Sequence, residues 1–395
     1  MLKRLLFPFV VFLISTAILW YSPSVSESFR PKAYSNQEFV RANVIDVLAE
    51  STQSDPLVPS VKTGRQRLLV ELREGDDIGK QVEVENQLSR LHNVYVTAGD
   101  NFILLIREQG GRTIYWPYNH DRSSAVYWMV GIIVLLTVLF AGLQGVNSVI
   151  SLYFTGALLI GVLVPALFAG WNPILVTIGL MAVKIVVNFL LVAGWNKKSL
   201  VSMLGTLAGV VMAGLMAQFF GEMAQLNGLY LEKGEDILYL GGEAQVQVRW
   251  LLFVAIMISA LGAVMDVAIS MASSYHELRE ISPEQSEKDR LWATIRIGRD
   301  ILGTMTNTLV LAFAGSALTT IMMVWGFQMP LMQFMNIPAL SLAMIHGLAG
   351  SIGLIMTVPL TVLIASAVYQ RNAALPVSTR ITESATSSAA EPVKE

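Results

Sequence analysis

Four polar side chains interrupt stretches that are otherwise apolar: Lys184 and Asn188 in the run 172–194, Asp266 in GAVMDVAIS (262–270), and Asn307 in GTMTNTL (303–309). Lys184 and Asn188 are one helical turn apart and share a face. Counted from run ends at 194, 272 and 300, Asn188, Asp266 and Asn307 lie six, six and seven residues in. That is a common depth on the order of 10 Å at about 1.5 Å rise per residue. Three polar groups at one depth can converge, and the flexible stem of Lys184 can reach toward Asp266 if their helices are neighbours. Ionisable residues inside such runs commonly mark an ion or solute path, and proton coupling at Asp266 is a narrower version of that idea. The bland alternative is an ion pair with amide hydrogen bonds that fixes helix packing, each bond worth about 1 kcal/mol or less.

Arg299 and Asp300, side by side in IRIGRDILGTMTNTL (295–309), raise a second question. Arg299 reads as part of a basic loop able to meet lipid phosphates. Asp300 reads as a cap at a helix N-terminus, where a carboxylate accepts free N–H groups and complements the dipole. The alternative is a gate pairing Arg299 or Asp300 with Asp266 or Lys184. His346, in MIHGLAG, reads as a buried hydrogen-bond partner rather than a ligand. The four histidines show no metal-binding spacing and there is no cysteine, which removes disulfides, thiolate metal sites and a cysteine nucleophile. No metal and no cofactor is expected. No Walker A loop, GxSxG, GxGD or Cys/His pair occurs, so no enzymatic reaction is expected either.

The elements that must position these groups are apolar. The chain is 54% hydrophobic and 14% charged, against about 25% charged in a soluble protein. That places it in the membrane class, with the lipid bilayer as its first partner. A net charge of −2 gives no reason to expect nucleic acid. After Met1-Leu-Lys-Arg an apolar run reaches Tyr21, readable as a signal peptide or an uncleaved signal-anchor. The small residues SPSVSES that follow contain no clean A-x-A site, which favours the anchor for 1–28.

Residues 29–122 differ in character. Short alternating runs, QRLLVELR (66–73), KQVEVEN (80–86) and NFILLIRE (101–108), are separated by Glu74-Gly75-Asp76, Ala98-Gly99-Asp100 and Gly110-Gly111. That pattern predicts a small β-rich, barrel-like domain. From 123 to 370 apolar spans dominate, at roughly 125–146, 148–169, 172–194, 200–222, 250–272, 300–326 and 339–369, each near the twenty or so residues of a bilayer crossing. With the anchor they make about eight. Trp20, Trp116, Trp128, Trp171, Trp195, Trp250 and Trp325 lie near span ends, where indoles favour the interface. Lys3, Arg4, Lys197, Lys198, Arg279, Lys288, Arg290, Arg296, Arg299 and Arg371 then fall on one side, while loop 223–249 is acidic. Both termini are therefore expected in the cytoplasm and the β-domain outside it, with a bacterial inner membrane as the location. The tail 371–395, rich in Ser, Thr and Ala, is expected to be disordered.

Gly205, Gly209, Ala213 and Ala217 repeat every four residues, and Ala343, Gly347 and Ser351 form a similar stripe. Both read as close-packing faces, within the chain or across a homo-oligomer. Segment 274–299 reads as a helix extension, a break at Ser282-Pro283 and an amphipathic helix with Pro283 in its first turn, either placing Leu291, Ile295 and Gly298 with Trp292 at the membrane surface or serving as a simple solvated connector.

The blocks LLFVAIMISALGAVMDVAISMASSYHEL (251–278), IGRDILGTMTNTLVLAFAGSAL (297–318) and GSIGLIMTVPLTVLIA (350–365), with WNPIL, LVAGWNKKSLVSMLGTLAGV, LYLGGEAQ and VEVENQLS, resemble the YibE/F family of bacterial multipass membrane proteins. The resemblance implies architecture and brings no substrate, reaction or cofactor. The expectation is an all-α polytopic membrane protein with an outer β-domain, permease-like or transport-associated, acting on an unknown solute or ion. A non-transporting scaffold whose β-domain binds a partner is the alternative.

Overall fold

The computed structural model describes residues 2–27, 37–109, 111–240 and 246–370. The tail expected to be disordered, and the GGEAQ part of LYLGGEAQ, lie outside the described residues. The chain divides into two compact units, one of residues 32–140, the other of 1–31 with 141–395.

The first unit is built on a five-stranded antiparallel sheet: β1 (Gln37–Ser54), β2 (Lys62–Leu72), β3 (Gln81–Leu88), β4 (Asn101–Gln109) and β5 (Arg112–His120), ordered β3-β2-β1-β4-β5. Strand β1 is shared. Gln37 to Asn43 pair with β4, and Ala42 to Ser54 pair with β2, across register shifts at Val44/Asp46 and Val47/Ala49. Such bulges bend a strand and raise its twist, so the sheet curls into a half-barrel. Its strand order is that of a partly open five-stranded Greek-key barrel. Gly64 sits where β1 and β2 coil most tightly: its φ is 133°, and a Cβ there would lie 2.1 Å from the Ser51 carbonyl oxygen.

Alternate residues Val40, Ala42, Val44, Leu68, Val70, Leu72, Phe102 and Leu104 fill the concave side. The connection 89–100 adds Val94 and Val96, and two buried amides tie it down. Asn86 Nδ2 donates to the Val94 carbonyl at 2.7 Å, and Gln66 Nε2 to that of Val96 at 2.9 Å. Asp55 closes the β1–β2 turn by accepting from Leu57 N–H, Val58 N–H and Arg90 Nε. At the unit's far end Arg41 donates through Nε to Asp121 and through Nη2 to Ser123. These contacts join the sheet to the next helix, and the compact unit extends beyond residue 122.

The rest is helical: α1 (Leu2–Ser26), α2 (Ser123–Leu158), α3 (Val164–Phe168), α4 (Pro173–Val192), α5 (Lys197–Met223), α6 (Gly234–Leu240), α7 (Leu251–Ile281), α8 (Glu287–Ser316), α9 (Leu318–Gly326), α10 (Leu331–Met335) and α11 (Pro338–Gln370). Six helical stretches are long and apolar enough to cross a membrane by length and composition, seven if α8 and α9, bent by 63°, are one span. The stretch Ser123–Phe168, 46 residues, is among the six. It holds about two crossings' length, and its backbone leaves helical geometry at Gly142 (φ 56°, ψ −130°). Asn172 and Asn196 cap α4 and α5, with Pro173 at the first position of α4, where a missing N–H costs nothing.

At the centre α5, α7 and α11 pack most closely. A Cβ on Gly205 would lie 2.2 Å from Thr361 Oγ1, one on Gly209 2.0 Å from Thr357 Oγ1, and one on Gly353 2.5 Å from Ala213 Cβ. The stripe read on α5 therefore packs directly on α11, but against Gly353, Thr357 and Thr361. Gly347 instead meets Phe313 of α8.

Two expectations are corrected here. The segment 274–299 holds no separate surface helix: α7 runs to Ile281, a turn containing Pro283 follows, and α8 starts behind the Ser286 cap. Leu291 and Ile295 pack into the core and Gly298 is buried against Val358 and Met271. Arg290 holds the turn through Glu287 at 2.8 Å and the Gln285 carbonyl at 3.1 Å, and Tyr275 hydrogen-bonds Glu287. Consequently Asp300 is not a helix cap. It lies well inside α8, because the Ser286 cap, bonded to Asp289, stands about four turns earlier.

Two measurements follow. Gly205→Ala should lower thermal stability by about 1–3 kcal/mol through overpacking, and adding Thr361→Ala should recover part of the loss. The Arg90 guanidinium hydrogen bond, with help from the two N–H donors, holds the Asp55 carboxyl below its ordinary value. A depressed carboxyl stabilises the fold above the unfolded pKa of about 3.9 and loses that contribution as pH falls through the folded value. The melting-temperature gap between wild type and Asp55→Asn should therefore close as the medium is acidified below that range.

Candidate functional site

Helices α2, α4 and α7 leave a cavity of about 340 Å³ between them. Its wall on α4 is one helical stripe, Thr177, Lys184 and Asn188, spaced by seven and four residues. The α2 wall carries Ser148, Ser151 and Thr155, and the α7 wall Ile258, Leu261 and Gly262. A Cβ on Gly262 would meet nothing within 4 Å, so the glycine keeps this wall open.

The hydroxyls of α2 are largely satisfied. Ser148 donates to the Gln144 carbonyl at 3.0 Å, Thr155 to that of Ser151 at 2.8 Å, and Ser151 to Asn188 Oδ1 at 2.6 Å. Asn147 Nδ2 donates across to the Leu191 carbonyl at 2.9 Å, pinning α2 to α4. The α4 groups are not satisfied. Lys184 Nζ has one near partner, Met265 Sδ at 3.1 Å, although an ammonium carries three donors. Asn188 Nδ2 has no hydrogen-bond acceptor among the described residues. Thr177 Oγ1 is fully buried and has no partner among the described residues.

Asp266 lies one turn beyond Gly262 on the same face of α7. Its charge acts on Lys184, yet the two form no direct ion pair among the described residues. Asp266 flanks the cavity rather than lining it. Asn307 does not join the group. It is nine residues past buried Gly298, about half a turn round the α8 axis, and its side chain is exposed on the outer face. Thr304 and Thr308 there bond back to carbonyls of their own helix, at 3.0 and 2.9 Å. Arg299 and Asp300 are exposed as well, and neither pairs with Asp266 or Lys184. His346 of α11 shares a 2.8 Å hydrogen bond with Ser259.

The sequence reading therefore located Lys184, Asn188 and Asp266 in one neighbourhood and misplaced Asn307, because equal depth says nothing about which way a helix faces. It missed Thr177 and the α2 hydroxyls. Thr177 was detectable, since it continues the Lys184–Asn188 stripe; Ser151 was not, because its partner belongs to another helix. Other cavities carry less chemistry. One of about 1210 Å³ between α1, α2 and α4 is lined mainly by apolar side chains, with Gln144 and Asn147 among them. Another of about 620 Å³ sets Lys197, Lys198 and Arg279 against Glu277 and Glu280. Among the described residues no cluster of His, Asp and Glu could hold a metal ion.

A family model described as YibE/F-like protein matches residues 129–371. The chain belongs to the YibE/F family. The matched stretch takes in every wall of the cavity, and the β-sheet lies outside it. No curated protein and no solved structure matches the chain.

If Lys184 and Asp266 serve function rather than packing, removing both charges should be harmless to the fold, because the two form no direct ion pair among the described residues and a charge in an apolar setting costs desolvation. Lys184→Met with Asp266→Asn is expected to melt at or above the wild-type temperature. Ser151→Ala, which strands the Asn188 acceptor, should cost about 1 kcal/mol. Thermal unfolding of the purified protein measures both.

Proposed function

We propose that this YibE/F-family chain is a multipass membrane protein of permease-like or transport-associated type, in which the cavity between α2, α4 and α7 is part of a solute path. The observation that carries the reading is Lys184: an ammonium on an apolar helix, facing a cavity, with a thioether as its one close partner among the described residues. A group placed only to fix packing would be paired. Taking Ser123–Phe168 as two spans broken near Gly142, and α8 with α9 as one, makes eight crossings with α1. The Lys and Arg distribution then puts both termini in the cytoplasm, the sheet outside it and the whole in an inner membrane.

The scaffold reading rests on a different observation. Leu57 and Leu91 are exposed on two loops of the sheet unit that Asp55 and Arg90 tie together, a pairing suited to a protein partner.

The absence of native cysteine makes the choice testable. Thr155→Cys, in membranes, should react with water-soluble methanethiosulfonates, since a thiolate forms only where water reaches. Val183→Cys, on the exposed face of α4, should stay unreactive in lipid. If both are equally inert, the cavity is dry and the scaffold reading takes over.

A further inference from the structure

The polar groups of the cavity that lack a partner have one property in common. Lys184 offers ammonium protons and Asn188 two amide protons, its oxygen already taken by Ser151. Thr177 adds a hydroxyl that is fully buried with no partner among the described residues. All three stand on one stripe of one helix. The one carboxylate close enough to act on Lys184, Asp266, stands outside the lining and contributes no donor. The complement of such a wall is an acceptor with several lone pairs and a negative charge, which in this setting gains from charge-assisted hydrogen bonds. A volume of about 340 Å³ is at the small end of ligand sites.

We propose that this cavity receives the oxyanion group of a small solute, with Lys184 and Asn188, one helical turn apart, as its donors, while Thr177 stands about 16 Å from Asn188 along the same stripe. The proposal rests on the water-accessible cavity argued above and adds the chemical class of what enters it. The shared chemistry is that of a carboxylate or an inorganic oxyanion.

The test uses the full-length chain carrying Thr155→Cys and two reagents of opposite sign, a sulfonatoethyl and a trimethylammonioethyl methanethiosulfonate. Each rate is divided by the rate at an exposed control, Glu284→Cys. The sulfonate reagent, itself an oxyanion, should be favoured. Adding Lys184→Met should abolish the preference, Lys184→Arg should retain it, and Asp266→Asn should increase it. Acetate or succinate slowing the reaction identifies a carboxylate site; phosphate or sulfate doing so identifies an inorganic one. Lys184→Met should weaken either protection by at least about tenfold, the loss of one charge-assisted hydrogen bond. Reaction with no preference for the sulfonate, or a preference indifferent to Lys184→Met, overturns the anion assignment and leaves the water-accessible cavity standing. No reaction with either reagent overturns both.

Discussion

The helical unit is organised by how closely α5 and α11 approach. Gly205 and Gly209 receive the side chains of Thr361 and Thr357, and Gly353 receives Ala213, so that backbone meets side chain with no room for a Cβ between them. Helices with larger residues on the facing surfaces would stand further apart and lose most of the dispersion contacts that hold them together. The approach also leaves Val264, Met257 and Met271 of α7 to close the third side of the core. Where the solvent is lipid, tail and side chain are equally apolar, so close packing must supply what the hydrophobic effect cannot.

That tight centre contrasts with the space beside it. On the side where α4 packs against α7 and α2 is hydrogen-bonded to α4, the polar groups are hydroxyls, an amide and an ammonium. Ser151 and Asn147 hold α2 and α4 in register, and Gly262 withdraws the α7 wall. Rigid contacts on either side of the cavity hold its few polar groups, set in a mainly apolar lining, in one geometry.

The sheet unit obeys a different constraint. A single long strand serves two partners: bulges bend it, and Gly64 at positive φ on the facing strand β2 lets the two backbones approach. The curl encloses Leu68, Val70, Phe102 and Leu104 at zero exposure and leaves the buried amides of Gln66 and Asn86 to satisfy the carbonyls of an irregular connection. Those amides hold the half-barrel's end shut where no strand covers it.

Much of this was legible in the amino-acid order. Apolar run lengths, the alternation in 66–108, the turn glycines and the four-residue stripe on α5 are local features. The alternation and the stripe express repeats of 2.0 and 3.6 residues. The family blocks were legible for the same reason, being contiguous. What tertiary structure alone decided is direction and partnership. Asn307 shares a depth with Asp266 but faces away, because Gly298 turns the other side of α8 into the core. Asp300 resembles a cap but lies mid-helix, because the Ser286 cap, the Arg290–Glu287 contact and Tyr275 extend α8 backward past the polar segment. Thr177 and Ser151 acquire meaning only when α2 arrives beside α4. A sequence determines how far along a helix a side chain lies and on which of its faces. Which neighbour that face meets depends on the packing of helices distant in the chain, and no local period encodes it.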